Sequence, residues 1–546
     1  MDIISASRKV GSITLEQITY KNINPKTRNM IMLGLILAML TACFDGTIVG
    51  TCGPVIVQDL QGSSLYSWMI TTFLLCETVM IPVAGKLSDL FGRKPLFLIG
   101  LGVFVLGSVL AGMSSSMEMF IICRGLQGLG GGILIPVATA AVADLYAPRD
   151  RGRMQGILGA IFGVGSGIGP LIGGYVTEYI SWHWVFYMNL PLAAVAFVLT
   201  LKKFPTPTNT EKPSIDYIGI AVLSAFLIDL LLLFQWGGND FEWFSVESIS
   251  MAVIAAALLV VLVFVENRAK EPILAPKLIH NRTVVLASIF MFIFGIGMMG
   301  AMTYSSMFAV TILMEGDTLK AAIYTLPMVF GMMITATASG RFLNRTGYRF
   351  WLIIGPIITS ASMLMMSKLT VDSTLEYYAL CLFVLGFGLG CMMAVVMTGV
   401  QNSSTFKEMG MTTSSVNLIR SVGATIGTAI FAALIDSKIT AELQANLSEG
   451  LFNLVDHSVG VLDQLSAAAL GLLDPTFAMM ILSEAQNILV AFANSVDFSF
   501  LCGACIVIVL VVIGIFFKVQ EPKEEEPVIN ITVDNGEGSE IQIEEN

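Results

Sequence analysis

The sequence predicts an all-α polytopic membrane protein, and three observations lead to that fold class. Hydrophobic residues make up 55% of the 546-residue chain and charged residues only 13%, with a mean hydropathy of +0.80. Because a soluble domain averages about 25% charged residues, this composition favours a membrane. Apolar runs of roughly 18–25 residues, each able to cross a hydrocarbon core of about 30 Å, recur along nearly the whole chain. Lys and Arg concentrate in alternate connections between these runs.

Fourteen apolar runs qualify as transmembrane spans, numbered 1 to 14 in chain order. The first run is too long for the apolar region of a cleaved signal peptide and is therefore counted as span 1. The runs cover residues 29–51, 66–85, 96–113, 118–143, 155–177, 184–201, 215–235, 248–266, 283–307, 319–339, 350–367, 376–400, 411–435 and 496–518.

The basic residues predict the orientation. Lys and Arg cluster in the tails and in every second loop, whereas the opposite loops hold only Lys320, Lys368 and Lys438. Since cytoplasmic loops carry the excess of Lys and Arg, both termini are expected in the cytoplasm of a plasma-membrane protein. The net charge of −11 sits largely in the C-terminal tail and one long outer loop, while the inner loops are basic. Nothing in this pattern indicates a nucleic-acid partner.

An internal repeat relates the two ends of the chain. Three features recur in the same order and at nearly equal spacing: GKLSDLFGRK (85–94) as GRFLNRTGYR (340–349), GLGGGILIPV from Gly128 as GLGCMMAVVM from Gly388, and Gly165 with Gly169 as Gly423 with Gly427. The repeat predicts that spans 1–6 are duplicated as spans 9–14, with spans 7–8 inserted between them. Chance similarity between glycine-rich spans is the alternative.

The predicted organisation has five parts. They are a cytoplasmic N-terminal tail (1–28), an N-terminal six-helix bundle (29–201), a linker with inserted spans 7–8 (202–282), a C-terminal six-helix bundle (283–518) that includes the long outer loop 436–497, and a disordered acidic cytoplasmic tail (519–546). Paired bundles around a midplane cavity are typical of rocking transporters. The outer loop has the pattern of an amphipathic helical hairpin, either a gate or a lid without a specific function.

Ionisable residues inside spans are a functional signal, because each costs several kcal/mol unless it is paired or faces a cavity. Asp45 in span 1 and Arg124 in span 4 lie at similar depth, about 9 Å from the outer ends, so they are able to pair. Glu77 lies near the middle of span 2 and Asp229 in the outer half of span 7. We predict that the three acids carry protons or substrate and that Arg124 biases a nearby acid. Alternatives remain open for three residues. Arg124 could serve only in packing, and Asp229 could be a structural acid. For Arg420 in span 13, a functional and a structural role are equally open.

The stretch GVGSGIGPLIGG (163–174) would be a loop in water, but in lipid its backbone groups must be satisfied internally, which predicts a helix. At 100° per residue its glycines form two adjoining ladders, Gly165, Gly169 and Gly173 on one and Gly163, Gly167 and Gly174 on the other. One side is nearly bare backbone and allows close helix approach. Pro170 removes a hydrogen bond and permits a kink. A static tight crossing and a hinge between two states are both open.

The short loop after span 2, GKLSDLFGRKP (85–95), combines turn-forming glycines with a charge cluster. Gly85 and Gly92 allow close approach and tight turning, and Asp89, Arg93 and Lys94 supply the charges. A topogenic basic loop is one interpretation. The recurrence of the loop in the second half favours a conformational gate.

Methionines cluster in three second-half spans, at Met298, Met299 and Met302, at Met363, Met365 and Met366, and at Met392, Met393 and Met397. Flexible thioethers suit a promiscuous apolar pocket. The simpler expectation is that they face lipid as filler.

These motifs resemble those of the major facilitator superfamily. The loop 85–95 is similar to its motif A, Arg124-x-x-Gln127-Gly128 to motif B, and G-x-x-x-G-P-x-x-G-G at 165–174 to the antiporter motif C. Asp45-Gly-Thr-Ile-Val and the stretch WHWVFYMNLP (182–191) look like signatures of the 14-span drug:proton antiporter family. The similarity covers about residues 29–520, although Thr428 replaces the motif C proline in the second half.

The resemblance implies two six-helix bundles (spans 1–6 and 9–14) with two inserted spans, and proton-coupled efflux of hydrophobic or cationic drug-like compounds by alternating access. The predicted site residues are Asp45, Glu77, Arg124 and Asp229 for proton and substrate coupling; Gly85, Asp89, Gly92, Arg93 and Lys94 for the motif A gate; Arg124, Gln127 and Gly128 for motif B; and Gly165, Gly169, Pro170, Gly173 and Gly174 for the motif C hinge.

Two other functions stay open from the sequence. A proton-coupled importer or exporter of a specific metabolite would use the same fold, and an intramembrane receptor or enzyme would belong to another class. The chain contains no Walker sequence, no H-E-x-x-H, no G-x-S-x-G and only three histidines, so no catalytic residue, metal or cofactor is expected. The expected partners are protons, small substrates and the lipid bilayer.

Overall fold

The computed structural model describes residues 23–519 except 63–64, 205–213, 239–240, 275–279, 315–317, 406–407, 457, 459 and 470–473. Within these residues the regular elements are helices, apart from an isolated bridge between Gly237 and Phe241. Fourteen spans are long and apolar enough to cross a membrane, which confirms the predicted all-α polytopic fold. Residues 1–22 of the predicted N-terminal tail and 520–546 of the predicted acidic tail lie outside the described residues.

The spans are Pro25–Asp59, Tyr66–Phe91, Arg93–Gly112, Met117–Leu145, Pro148–Tyr179, Trp182–Lys203, Tyr217–Trp236, Val246–Glu266, Arg282–Leu313, Leu319–Thr346, Tyr348–Met366, Leu375–Asn402, Met409–Asn446 and Ala485–Phe516. Two of them are interrupted. Span 6 consists of the helices Trp182–Tyr187 and Asn189–Lys203, and span 10 consists of Thr318–Tyr324 and Leu326–Thr346. Pro327 at the start of the second helix of span 10 fits this break, because proline is favoured in a first helical turn.

The helices differ from the predicted runs mainly at their ends. Span 1 has 35 residues and span 13 has 38, which at 1.5 Å per residue is more than about 50 Å. Both helices therefore continue beyond a hydrocarbon core of about 30 Å. Hydropathy marks where apolar sequence ends, whereas the backbone hydrogen bonds continue into polar sequence.

The long loop before span 14 is shorter than predicted, because the helices on either side extend into it. Span 13 ends at Asn446 and span 14 begins at Ala485. The segment between them contains the short helices Glu449–Phe452, Val461–Ala469 and Pro475–Ser483. Its buried apolar side chains, Leu451 and Ile481 among them, belong to the same hydrophobic core as spans 9–14. This segment is therefore part of the C-terminal bundle.

Helix pairing repeats between the two halves. Span 1 packs against spans 5 and 6, and spans 2 and 3 pack against span 4. In the same way span 9 packs against spans 13 and 14, and spans 10 and 11 pack against span 12. Gly165 and Gly169 of span 5 lie against span 1, and the aligned Gly423 and Gly427 of span 13 lie against span 9. The fold therefore has the predicted two six-helix bundles, spans 1–6 and spans 9–14.

The inserted spans 7 and 8 pack against each other beside the junction of the two bundles. Span 7 contacts span 2 of the first bundle and span 13 of the second. Leu223 and Leu227 of span 7 share a small hydrophobic cluster with Ile81 of span 2 and Leu418 of span 13. The insertion thus touches both bundles at one place.

Close packing of spans 2 and 4 yields the first prediction. A Cβ atom at Gly132 of span 4 would collide with the backbone carbonyl of Glu77 in span 2, whereas Gly102 of span 3 has open space around it. We expect Gly132→Leu to destabilise the fold by about 1–3 kcal/mol through overpacking. The thermal unfolding midpoint in detergent should fall for Gly132→Leu and stay unchanged for Gly102→Leu. Equal midpoints for the two variants would contradict the crossing described.

Candidate functional site

A buried ion pair lies inside the N-terminal bundle. Arg124 of span 4 donates from Nη1 to Oδ2 of Asp45 in span 1, and the two side chains are 1% and 0% exposed. Gln127 donates to Oδ1 of Asp45 at 2.8 Å and accepts from Arg124 at 2.7 Å. Asn189 of span 6 also donates to Oδ1 of Asp45, at 3.3 Å. The carboxylate of span 1 is therefore held by side chains from two other helices.

The sequence of span 4 explains this geometry. Arg124 and Gln127 are three residues apart, so their side chains reach the same side of the helix. Gly128 allows span 4 to lie directly against the backbone carbonyl of Phe73 in span 2. That approach puts the Phe73 ring 4.2 Å from the guanidinium carbon of Arg124. A guanidinium suits this position because its planar face stacks on an aromatic ring while its edge binds a carboxylate.

Glu77 lies beside this network, at the boundary between the bundles. It lies within electrostatic range of Arg420 of span 13 and also of Arg124 and Asp45. Arg420 is 8% exposed, and its guanidinium carbon is 5.8 Å from the ring centroid of Phe162 in span 5. An acid from the first bundle therefore lies within electrostatic range of a cation from the second.

Asp229 is separate from the Asp45 network. It lies in inserted span 7, and its Oδ2 atom has no hydrogen-bond partner among the described residues. The hydrogen bonds described for Asp45 come from spans 4 and 6 instead. A coupling role for Asp229 stays a prediction.

The motif A loop joins the bundles at the end predicted to be cytoplasmic. Asp89 accepts the backbone N–H groups of Gly410 at 2.9 Å and Met411 at 2.7 Å, at the start of span 13. Free N–H groups and the helix dipole make a helix N-terminus favourable for a carboxylate. Arg93 binds Asp89 at 2.6 Å and Asp144 of span 4 at 3.0 Å. Asp89 thus links span 2 of one bundle to span 13 of the other.

The other motif A residues have distinct positions. Gly92 has φ 90° between spans 2 and 3, and the aligned Gly347 has φ 77°, in a region that side chains other than glycine rarely adopt. Gly85 lies against Ser414 of span 13. Lys94 is half-buried and has no ion pair within the part of the chain that the structure describes.

An uncharged side chain makes the corresponding link in the second half. Asn344, aligned with Asp89, donates to the backbone carbonyl of Arg149 at the start of span 5 at 2.7 Å. Gly340, aligned with Gly85, lies against the backbone of Gly152 in span 5. One end of the molecule is therefore closed by two related contacts, span 2 with span 13 and span 10 with span 5.

Sequence reasoning missed several residues of these links. Arg151 of span 5 donates to the Gln401 carbonyl at 3.2 Å and to Asn402 Oδ1 at 3.0 Å, both in span 12. Gly152 and Gly410 hold equivalent positions in the two links, and their spacing equals that of the aligned Gly165 and Gly423. The repeat spacing was thus a signal that could have identified that pair. Nothing in the sequence pattern places Asn189 beside Asp45.

Motif C presents two glycine faces to two different partners. The first face, which lies against span 1 within the same bundle, consists of Gly165, Gly169 and Gly173. The second face, which lies against span 10 in the other bundle, consists of Gly163, Gly167 and Gly174. The helix Pro148–Tyr179 continues through Pro170. Motif C therefore contains both a crossing inside one bundle and a contact between bundles.

A narrow apolar cavity lies next to the second face. Its walls include Phe162, Ser166, Met298, Met302, Met328 and Met332. Two spans of the C-terminal bundle thus contribute flexible thioethers to a space that also borders span 5. Such side chains adapt to apolar groups of different shape.

The expectation that the methionine clusters face lipid is wrong. The buried members, each at most 5% exposed, are Met298, Met363, Met366, Met392, Met393 and Met397. They pack in the core of the C-terminal bundle. In a membrane protein both lipid-facing and core positions are apolar, so hydropathy does not distinguish them.

A family model described as Major Facilitator Superfamily matches residues 35–428. The chain belongs to this superfamily. It is 35% identical over 442 residues to the multidrug transporter protein MdtP of Bacillus subtilis (strain 168). The aligned region covers 81% of the chain and 80% of that relative. The chain is 31% identical over 494 residues to multidrug resistance protein 3 of the same organism, covering 89% and 94%. The resemblance found in the motifs is confirmed.

The superfamily fold is also found among solved structures. The proton:xylose symporter XylE matches with a TM-score of 0.60 at 12% identity, covering 91% of this chain and 97% of that one. As a member of this superfamily with fourteen apolar helices, the chain is a multi-pass membrane transporter of small molecules.

The Asp45 network predicts a specific stability pattern. Arg124→Gln leaves the Asp45 carboxylate buried without its cation, and breaking a buried pair in this way costs about 3–5 kcal/mol. We expect a large drop in the thermal unfolding midpoint for Arg124→Gln and recovery of most of it when Asp45→Asn is added. Arg345→Gln, at an exposed position, serves as the control. Additive losses in the double variant would show that the two side chains do not interact.

Motif C predicts different consequences for its two faces. Gly167→Leu would collide with Val329 of span 10, whereas Gly165→Leu would collide with Cys43 inside the same bundle. We expect Gly167→Leu to lengthen the distance between spin labels on exposed Tyr179 and Ile323, in a background without native cysteines. Gly165→Leu should lower the unfolding midpoint without lengthening that distance. Unchanged distances for Gly167→Leu would rule out a contact between bundles at this glycine.

Proposed function

We propose that the protein exports hydrophobic or cationic drug-like compounds in exchange for protons, by alternating access between its two bundles. The observation that carries this proposal is a buried group of charges, with Asp45 bound by Arg124 inside the first bundle and Glu77 within electrostatic range of Arg420 in the second. Relatives named as multidrug proteins at 31–35% identity support the substrate class, and the resistance named for the second of them supports export. The apolar cavity between the bundles supports a hydrophobic ligand.

Charge balance ties protonation to conformation in this scheme. While Asp45 is ionised, Arg124 neutralises it inside the bundle. A proton on Asp45 leaves the guanidinium as a buried cation without its counter-ion, which costs several kcal/mol. A change in protonation therefore changes which arrangement of the helices has the lower free energy. Glu77, at the boundary, is the carboxylate for which a proton and a cationic substrate compete.

The links at one end of the molecule act as the gate in this scheme. Opening that end breaks the two hydrogen bonds of Asp89 to span 13 and the bond of Asn344 to the start of span 5. Hydrogen bonds to charged groups contribute about 1.5–3 kcal/mol each. The two Asp89 bonds together therefore contribute about 3–6 kcal/mol. One proton crossing a potential of 100 mV supplies about 2.3 kcal/mol, which is smaller but of the same order.

Orientation sets the direction of the cycle. We place the protein in the plasma membrane with both termini in the cytoplasm, as the distribution of Lys and Arg predicts. The Asp89 and Asn344 links then close the cytoplasmic end. Protons that enter from outside drive the substrate outward, because the open end of the protein alternates between the two sides of the membrane.

Transport in proteoliposomes with an imposed pH gradient tests the proposal. We expect the purified protein to move ethidium and other fluorescent cations against their gradient, and Asp45→Asn to lose this activity at least tenfold, because the variant carries no titratable group at the centre of the network. Asp372→Asn, an exposed loop acid, is the matched control and should keep full activity.

The possible outcomes separate the role of the residue from the role of the protein. Proton-driven dye efflux that survives in Asp45→Asn would remove Asp45 from the mechanism. No dye movement by the unmodified protein would overturn drug efflux, and proton-coupled movement of one polar metabolite instead would establish the alternative.

A further inference from the structure

Three polar side chains form a stripe along span 13, at Thr413, Asn417 and Arg420. Their spacing of four and three residues puts them on one side of the helix. They are 0%, 2% and 8% exposed. A helix side of this kind is normally apolar when it faces lipid or a core.

Neighbouring contacts show where the stripe points. On the same helix, Gly410 and Ser414 lie against span 2, and Gly423 lies against span 9. At 100° per residue the stripe falls between these two sides. It therefore faces the space between the bundles, which is where Arg420 reaches the ring of Phe162.

The internal repeat supports the same placement. The spacing that aligns Gly165 with Gly423 also aligns Phe162 with Arg420. Two equivalent positions from related halves meet only close to the axis that relates those halves. The contact between Phe162 and Arg420 thus lies at the centre of the transporter.

The stripe has unused hydrogen-bonding capacity. Within the described residues, Oγ1 of Thr413, both amide atoms of Asn417 and Nε of Arg420 are buried without a hydrogen-bond partner. Leaving such an atom unsatisfied costs about 1–3 kcal/mol. The nearby Thr412 and Ser415 behave differently, because each hydroxyl donates to a carbonyl of its own helix. The unsatisfied atoms are therefore specific to the side that faces the centre.

Phe162 lies between the stripe and the apolar cavity, because its ring centroid is 5.8 Å from the guanidinium carbon of Arg420 and its side chain lines that cavity. We propose that Thr413, Asn417 and Arg420 form a polar subsite for a carboxylate or carbonyl oxygen of the substrate, whose apolar part occupies the methionine-lined cavity. The substrate class is an amphipathic compound with a hydrogen-bond-accepting group, including zwitterions whose cationic part faces Glu77. This inference rests on the proposed function and narrows its substrates.

Two dyes that differ at one group provide the test. Tetramethylrhodamine is a zwitterion with a free carboxylate, and its methyl ester is a cation with the same ring system. Binding of each dye to the purified protein is measured by fluorescence anisotropy, and transport is measured separately in proteoliposomes. We expect Arg420→Gln to weaken binding of the free acid at least tenfold and binding of the ester by less than threefold. Arg420→Lys, which keeps the charge, should recover part of the loss.

Two milder variants make the test independent of folding. Thr413→Val and Asn417→Leu remove the other polar groups at nearly constant volume, and each should weaken binding of the free acid more than binding of the ester. Thr425→Val on the same helix is the control, because its hydroxyl already donates to the Ser421 carbonyl.

Equal weakening of both dyes by the stripe variants would overturn the subsite, as would free-acid binding that is unchanged in all of them. Failure of the unmodified protein to bind the free acid would also overturn it. Selective binding of the acid without transport of either dye would support the subsite while contradicting the proposed efflux function.

Discussion

The cost of an unpaired charge in a membrane is the constraint on which the central structure depends. Asp45 and Arg124 are almost fully buried, and either would be strongly unfavourable alone. The bundle provides each with the other and adds Gln127 and Asn189, so that the carboxylate is bound from two helices. Because such a network is complete only in one state of charge, adding a proton changes the free energy of the whole bundle. In the proposed mechanism, the ionisation of Asp45 is thereby connected to the packing of several helices.

Glycines allow close helix packing both at crossings inside one bundle and at contacts between the two bundles. On span 5 one glycine ladder packs against span 1, inside the bundle, and the adjoining ladder packs against span 10, in the other bundle. At the predicted cytoplasmic end the two related links, Gly85 with span 13 and Gly340 with span 5, allow backbones to meet without intervening side chains. The links differ in chemistry. Asp89 brings a charge to a helix N-terminus, whereas Asn344 makes a neutral hydrogen bond. Only the first of these depends strongly on electrostatics.

The fold class could be predicted from sequence because membrane composition and span length are strong, redundant signals. Fourteen spans, two bundles and the inserted pair follow from hydropathy and the repeat. Helix ends could not be predicted in the same way, since span 13 continues into polar sequence as far as Asn446. Hydropathy also fails to separate lipid-facing from core positions, as Met363 and Met392 show. The similar depths of Asp45 and Arg124 in their spans indicated that the two could pair. The contact of Asn189 with Asp45 could not be predicted, because it depends on how span 6 is rotated against span 1.

The duplicated halves differ in chemistry along the stripe of span 13. The stripe on span 13 aligns with Gln155, Gly159 and Phe162 on span 5. There the amide of Gln155 donates to the Thr139 carbonyl at 3.0 Å, Gly159 offers no side chain, and Phe162 is apolar. These aligned positions therefore differ in chemistry, because Phe162 of span 5 is apolar whereas Arg420 of span 13 has a buried polar atom without a partner. In the proposed subsite, a ligand with no polar group would leave the polar atoms of the stripe unpaired. A ligand that satisfies them gains most when the two bundles close around it, because only then are both of its sides in contact. In the proposed subsite, this asymmetry between the halves would give an amphipathic molecule a preferred orientation.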